Sequence, residues 1–295
     1  MKSQSSLPAS TSRAARPRAA IPAAGASCHH AATRPDAARR ELLLPAMPRF
    51  LETVFRDLGR IALIFWRVLV WTPRPPYDLR QLLVQVVRIG VQSVPVVLLT
   101  AVFTGMVMAL QIFTVLARFG AEGYVGSIVG LAMVRELAAV LGALMIAGRC
   151  GAAMGAELGT MRVTEQIDAL EVMATDPVHF LIVPRVWATT LALPLLIALA
   201  DAIGIFGGYF VSVVVMGANP VTYMETTFQY MEMDDLLSGI IKAGVFGMLI
   251  AVISCAKGFH TTGGAEGVGR STTSAVVLSS LAVLISNFFL TKLMF

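Results

Sequence analysis

Apolar residues gather in five long stretches of the chain, and each stretch is bounded by polar or charged residues. These stretches lie at about 88–113, 124–147, 186–218, 236–256 and 271–290. Each reaches the roughly 20 residues that an α-helix needs to cross the hydrocarbon core of a bilayer. The pattern predicts an all-α integral membrane protein with five transmembrane helices, and we expect a kink near Pro95 in the first helix.

The segment before these stretches divides into two parts. Residues 1–46 are rich in Ala, Ser, Pro and Arg, and we expect a disordered extension. An organellar transit peptide, or a translation start at Met47, would also fit this composition. Residues 47–76 combine helically spaced apolar residues with charges mostly on the other face, together with Trp66 and Trp71. They predict an interfacial amphipathic helix in the headgroup plane, ended by the prolines at 73–76.

A polar segment at 155–180 separates the second apolar stretch from the third. Within it we predict an amphipathic helix at about 162–174, with Thr164 as its N-cap and the Asp176-Pro177 pair as its stop. Apolar residues fall broadly on one side, and acidic residues at three-residue spacing line the other. The periodicity leaves two interpretations open: a helix that docks on a soluble partner, or an ordinary solvated loop helix.

Charged residues interrupt the apolar stretches at a few positions. Arg135 and Glu136 fall near the centre of the second stretch, where burial costs on the order of 3 kcal/mol for each charge. Neighbouring helical residues point about 100° apart, so these two cannot simply pair with each other. Lys242, two turns into the fourth stretch, is the natural partner for Glu136. Asp201 in the third stretch is either functional or a hydrogen-bonded packing residue.

The composition agrees with a membrane protein. Hydrophobic residues make up 56% of the chain and charged residues 14%, and the mean hydropathy is +0.75. The net charge of +5 comes from the N-terminal segment and from basic residues beside the apolar stretches, which does not indicate nucleic-acid binding. Segment 219–236 carries four acidic residues and no Lys or Arg. We therefore expect this segment and the C-terminus outside, and the N-terminus in the cytoplasm.

Sequence motifs for covalent chemistry are not found. The glycine-rich run at 263–269 lacks the GxxxxGK[ST] and GxGxxG patterns, so we expect it to be a cytoplasmic loop at 257–270 without a nucleotide. The three cysteines have neither CxxC spacing nor histidine partners, so no metal site is predicted. We predict no catalytic residues and no cofactor in this chain. Glycines at 148, 151, 155 and 159 fit either close helix packing or a bend.

The run AGRCGAAMGAELGTMRVTEQIDALEVMATDP at 147–177 resembles the signature of the MlaE/YrbE permeases, the membrane subunits of MCE-type ABC lipid transporters. The resemblance covers about 47–295, with further matches at LPLL, GIFGG, GGAEGVGRSTTSAVV and LTKLMF. It implies a homodimer in a bacterial inner membrane that moves phospholipids to or from a periplasmic MCE-domain protein and maintains outer-membrane lipid asymmetry. A separate cytoplasmic ABC ATPase would bind ATP and Mg²⁺. Alternatives are a non-transporting scaffold, a plastid lipid importer and, more weakly, proton-coupled transport through Glu136 or Asp201.

The resemblance also implies roles for particular residues. Arg135, Glu136 and Lys242 would be polar residues of a lipid cavity lined by the first, second and fifth spans. Asn287 stands where some relatives have a carboxylate, which would weaken a charge network there. The 162–174 helix would be the cytoplasmic coupling helix that rests on the ATPase. The residues expected at this contact are Glu157, Arg162, Thr164, Glu165, Gln166, Asp168, Leu170 and Glu171.

Overall fold

The computed structural model describes residues 49–72 and 79–294, and in these ranges every regular element is a helix. Five helical segments of the described chain are long and apolar enough to cross a membrane. They confirm the predicted all-α membrane fold. The predicted extension at 1–46 and the proline break at 73–76 lie outside the described residues. The five spans run Leu79–Phe119, Glu122–Val163, Val178–Val215, Met233–Phe259 and Gly264–Met294.

Helix α1, Arg49–Trp71, precedes the spans. Its buried residues Ile64 and Val68 pack on the other helices, whereas Leu63 and Trp66 are exposed. After the last turn, the Thr72 hydroxyl donates to Val68 O and accepts a hydrogen bond from Trp187 Nε1 of the third span at 3.1 Å. The predicted amphipathic helix is confirmed, and its place in the headgroup plane stays a prediction.

The first span consists of α2, Leu79–Ile89, and α3, Val94–Leu116, joined by a 3₁₀ turn at Val91–Ser93. Pro95 lies in the first turn of α3, where its missing N–H is tolerated. The Ser93 hydroxyl donates to Ile89 O at 2.5 Å across the break. The α-helix is therefore interrupted just before Pro95, the predicted kink itself stays a prediction, and the helix before it starts earlier than residue 88.

The second span is one long helical run. It contains α4, Val125–Ala132, α5, Ala138–Ile146, and α6, Ala152–Val163, with π-helical turns at Met133–Leu137 and Ala147–Gly151 between them. The helix continues beyond residue 147, where we predicted the end of the membrane-crossing stretch, and that end stays a prediction. Of the two interpretations of the glycines, close packing is confirmed: a Cβ on Gly155 would contact Ala275 of the fifth span, and one on Gly159 would contact Val268.

Helix α7, Gln166–Val172, is shorter than the predicted 162–174. Thr164 is not its N-cap, because the Thr164 hydroxyl donates back to Thr160 O at 2.8 Å and so ends α6. Glu165 takes the N-cap position at φ 59° and reverses the chain. Asp176 acts at the next helix instead of stopping α7, since its Oδ1 accepts from Val178 N at 2.8 Å.

The third span lies between the first and fourth spans. Helix α8, Val183–Phe210, continues through Pro194, and π-helical turns at Val178–Ile182 and Val211–Val215 extend it. Neighbouring helices compensate for a proline in a membrane helix. The first span approaches so closely that a Cβ on Gly105 would collide with the backbone of Gly204.

Two predicted loops are helical. Helix α9, Pro220–Tyr230, occupies the segment expected as an external loop, and Asn219 Oδ1 caps it by accepting from Val221 N at 2.9 Å. The predicted loop at 257–270 is reduced to residues 260–263 between α10, Met233–Phe259, and α11, Gly264–Met294. The glycine-rich run forms the first turns of α11. The lack of a side chain at Gly267 leaves room for the Thr262 carbonyl oxygen, which a Cβ would hit.

Candidate functional site

Glu136 is the centre of a polar cluster between the second, fourth and fifth spans. Its Oε1 accepts hydrogen bonds from Lys242 Nζ and from Thr291 Oγ1, both at 2.7 Å, and its Oε2 accepts one from Asn287 Nδ2 at 2.8 Å. Lys242 Nζ also donates to Arg135 O and to Thr291 Oγ1, each at 2.9 Å. The predicted Glu136–Lys242 ion pair is confirmed. We call Glu136, Lys242, Asn287 and Thr291 the Glu136 cluster.

Arg135 points to a different partner. Its Nε donates to Asp235 Oδ1 at 2.7 Å, and the Asp235 carboxylate is buried while the Arg135 side chain is 41% exposed. Asp235 also accepts from Glu232 N at 3.2 Å as part of the capping box that begins α10. One carboxylate therefore starts a helix and holds Arg135.

The divergence of Arg135 and Glu136 occurs in the π-helical turn Met133–Leu137. Such a turn widens the helix by one residue and is frequent at functional sites. Here Arg135 meets the first turn of α10, while Glu136 meets the third turn of that helix through Lys242. Two adjacent charged residues thus obtain separate counter-charges, as the sequence argument required.

Along the helices, the cluster lies toward the start of α10 and the end of α11. Asp235 is in the first turn of α10, and Thr291 is in the last turn of α11. Glu136 lies in the first half of the helical run Glu122–Val163, and its predicted depth in the membrane stays a prediction. Lys242 is fully buried, whereas the Glu136 side chain is 33% exposed, so the cluster is partly open on the side of Glu136.

Sequence reasoning missed Thr291 and Asp235. Thr291 follows Asn287 by four residues, so the two share one face of α11, and this spacing was a usable signal. Glu232 and Asp235 show the spacing of a capping box, with an acid at each position. Asn287 reaches Glu136 through its amide, so an uncharged side chain stands in the network.

A second charged group lies at the opposite ends of the spans. Glu157 forms ion pairs with Arg88 of the first span and, at 3.2 Å, with Arg185 of the third span. Arg185 is buried and Glu157 is partly exposed. Glu157, expected at the ATPase contact, is therefore also engaged in joining three spans.

Most predicted coupling residues lie on or beside α7, and they differ in exposure. Thr164, Glu165, Gln166 and Glu171 are exposed, whereas Asp168 pairs with Arg162 at the end of α6. The predicted apolar face is only partly correct. Ile167 is buried and Leu170 partly buried, but Val172 is 88% exposed, and Met173 and Ala174 are exposed as well. The outer end of α7 thus presents an apolar tip flanked by carboxylates.

Asp201 is separate from the Glu136 cluster. It is 2% exposed, and neither carboxyl oxygen has a hydrogen-bond partner among the described residues. Ile197 and Gly204, one turn away on either side, contact the second span at Gly142 and Met133. Asp201 therefore faces an apolar helix interface, and the expectation of a hydrogen-bonded packing residue is wrong.

A sequence model of the family described as Permease MlaE matches residues 82–293, which is more than half of the chain. This chain belongs to the MlaE permease family. The matched range contains the Glu136 cluster and α7, whereas α1 precedes it. The resemblance on the 147–177 run is thereby confirmed.

Individual relatives of this MlaE-family permease cover most of its length. A Rickettsia bellii protein named "Probable ABC transporter permease protein" is 45% identical over 240 residues, 81% of this chain and 93% of the relative. The Haemophilus influenzae "Intermembrane phospholipid transport system permease protein MlaE" is 39% identical over 253 residues, 85% of this chain and 97% of the relative. An Arabidopsis thaliana protein, "Protein TRIGALACTOSYLDIACYLGLYCEROL 1, chloroplastic", is 42% identical over 216 residues, 73% of this chain and 62% of the relative.

Proposed function

We propose that this chain is the membrane subunit of an ABC transporter that moves phospholipids between a bacterial inner membrane and a periplasmic MCE-domain protein. The observation that carries the proposal is the Glu136 cluster: an ion pair with a fully buried lysine, inside the apolar spans of an MlaE-family permease. Charges within membrane spans are costly and mark substrate paths. The name of the Haemophilus relative supports a phospholipid as substrate.

The active unit in this proposal is a homodimer that encloses the lipid. The fifth span leaves room for such a contact, because 17% of its most apolar stretch is buried, against 56% in the fourth span, and its apolar face is open to lipid or to a second copy. Leu99 and Phe103 of the first span, and Phe288 of the fifth, are likewise exposed. Two copies that meet along the first and fifth spans would bring both Glu136 clusters to one apolar cavity.

The basic ends of the spans support the proposed orientation. Arg88, Arg149, Arg162, Arg185 and Lys257 all lie toward the end of the bundle that carries α7. The other end carries α9 and acidic residues. Under the positive-inside rule α7 faces the cytoplasm, and the Glu136 cluster and the C-terminal end of α11 lie toward the periplasm.

Energy in this proposal comes from a separate ABC ATPase docked on α7, which holds ATP and Mg²⁺. The exposed tip at Val172 and the flanking Glu165 and Glu171 offer an apolar contact with a charged rim. Closure of the ATPase dimer would move α7, and the Arg162–Asp168 ion pair would transmit the movement to α6 of the second span.

The test of the function is native purification from the source membrane with mass spectrometry of bound proteins and lipids. We expect an ATPase, an MCE-domain protein and stoichiometric phospholipid. In reconstituted complexes, the double variant Glu136→Gln with Lys242→Met, which leaves no unpaired buried charge, should abolish ATP-dependent lipid transfer while the subunits still co-purify. If the variant binds both partners and still transfers lipid fully, the Glu136 cluster is not the lipid site. A chain that binds both partners but never lipid would be a scaffold.

The docking surface has its own test. Glu165→Lys with Glu171→Lys should release the ATPase, since both side chains are exposed and Asp168 keeps its pairing with Arg162. The matched control, Glu122→Lys with Glu225→Lys, makes the same charge change at the other end of the bundle and should leave the ATPase bound. Retention of the ATPase by both variants would rule out these carboxylates as its contact.

A further inference from the structure

A cleft of about 340 Å³ lies between α1 and the adjoining ends of α10 and α11, far from the Glu136 cluster along the spans. It is at the basic end of the bundle, beside the short connection at residues 260–263. Its walls carry polar and charged side chains from three helices. The charged and titratable residues that line it are Arg56, Asp57, Arg60, Lys257, His260 and Arg270.

The charges in this cleft do not balance. Lys257 Nζ lies 2.6 Å from Asp57 Oδ2, so this pair is close to neutral. Arg56, Arg60 and Arg270 form no ion pair with any residue in the described part of the chain. An excess of three guanidinium groups around one cleft attracts an anion, and guanidinium groups match the oxygens of a phosphate in geometry.

His260 lines the same cleft. Its Nδ1 lies 3.0 Å from Ala256 O. Burial is the main cause that lowers the pKa of His260; Arg60 and Arg162 lower it further, whereas the Ala256 carbonyl and Asp57 act in the opposite direction. The imidazole is therefore neutral near pH 7 while the cleft is empty, and a bound anion would stabilise its protonated form.

An apolar groove of about 460 Å³ continues directly from the cleft. The two share Asp57, Ile61, Lys257, Arg270 and Ser274, and the groove adds Leu58 and Val277, which are exposed side chains of α1 and α11. A free phosphate or a nucleotide would leave this groove uncovered. A molecule with a phosphate at one end and a hydrocarbon chain at the other would fill both parts.

We propose that this two-part cleft binds an anionic phospholipid, with its phosphate against Arg56, Arg60 and Arg270 and an acyl chain along Leu58 and Val277. Basic pockets beside membrane helices on the cytoplasmic side recognise anionic headgroups. The bound lipid would join α1 to the fifth span next to the Lys257–Asp57 pair. This site is distinct from the transported lipid at the Glu136 cluster and does not depend on it.

The test uses the full chain in nanodiscs of phosphatidylcholine with a small fraction of phosphatidylglycerol, and native mass spectrometry of retained lipid. The triple variant Arg56→Gln, Arg60→Gln and Arg270→Gln should bind phosphatidylglycerol about 100-fold more weakly. The control variant Arg67→Gln, Arg80→Gln and Arg118→Gln removes the same charge from exposed positions elsewhere and should bind as the wild type does. Equal loss in both variants, or in neither, would overturn the proposal.

The apolar half needs a separate measurement. Leu58→Ser with Val277→Ser should weaken phosphatidylglycerol retention and leave the weak binding of inorganic phosphate unchanged. Inorganic phosphate at millimolar concentration should not displace the lipid from the wild type. Ready displacement, together with full retention by the serine variant, would show a free-anion site instead of a lipid site. Thermal unfolding of each variant in the same nanodiscs checks that the chain is folded.

Discussion

Lys242 Nζ lies 2.7 Å from Glu136 Oε1, although the Lys242 side chain is fully buried between membrane spans. A buried ammonium without a counter-charge is strongly destabilising, whereas replacement of both partners by uncharged groups can be neutral. The two residues should therefore behave as one unit in stability measurements.

We expect Glu136→Gln to destabilise the folded chain by about 3 kcal/mol, the low end of the range for breaking a buried pair, because Glu136 is partly exposed. Lys242→Met leaves Glu136 its bonds from Asn287 and Thr291 and should cost less. The double variant should recover much of the loss. Thermal unfolding of the four proteins gives the coupling free energy, and additive effects would contradict the buried ion pair.

Arg162 and Asp168 join the end of α6 to α7, and both side chains are partly exposed. An exposed pair contributes only about 0–1 kcal/mol, so global stability should change little when it is broken. Its effect should be local: Arg162→Asp or Asp168→Arg should increase hydrogen exchange in α7 by up to about fivefold.

The reversed pair, Arg162→Asp with Asp168→Arg, should restore slow exchange in α7, because the attraction is re-formed across the same turn. The same swap should also restore ATPase coupling in the assembled complex. Fast exchange in the reversed pair would mean that the side-chain geometry, and not the opposite charge, holds α7.

The sequence predicted the five spans well because the bilayer demands long apolar helices. It also predicted the partner of Glu136, since a buried charge demands a counter-charge. Helix ends were predicted less well: the second helical run passes through Gly151, Gly155 and Gly159, where the sequence fitted either a bend or close packing. Those glycines are explained by neighbouring helices, and a single sequence does not show which helices are neighbours.

In the candidate site, too, some residues could be predicted from the sequence and others could not. Glu136 and Lys242 interrupt apolar runs, which makes them visible, whereas Thr291 and Asp235 are ordinary residues near helix ends. Their role becomes visible only when α10 and α11 pack against the π-helical turn, where Thr291 binds Glu136 and Asp235 binds Arg135. The prediction that Thr164 is the N-cap of α7 was wrong for a different reason. The Thr164 hydroxyl instead donates to a carbonyl oxygen in the preceding turn.

Close packing of the first and third spans at Gly105 gives the next prediction. A Cβ at this position would collide with the carbonyl of Gly204, and neither backbone can move without separating the helices. Gly105→Ala should therefore lower the melting temperature, with a cost of about 1–3 kcal/mol. Gly148→Ala is the control, because nothing lies within 4 Å of its Cβ position, and it should be neutral or slightly stabilising. Equal melting temperatures for the two variants would contradict the close approach.

Asp201 supports the last prediction, because its buried carboxyl group has no hydrogen-bond partner among the described residues. Leaving a polar group in this state costs about 1–3 kcal/mol. Asp201→Val should therefore raise the thermal stability of the folded chain. Asp201→Asn keeps a polar side chain but removes a titratable proton, so it should gain little stability and should leave ATP-dependent lipid transfer intact. Loss of transfer in Asp201→Asn, with normal folding and normal ATPase binding, would instead assign a proton-carrying role to this carboxyl group.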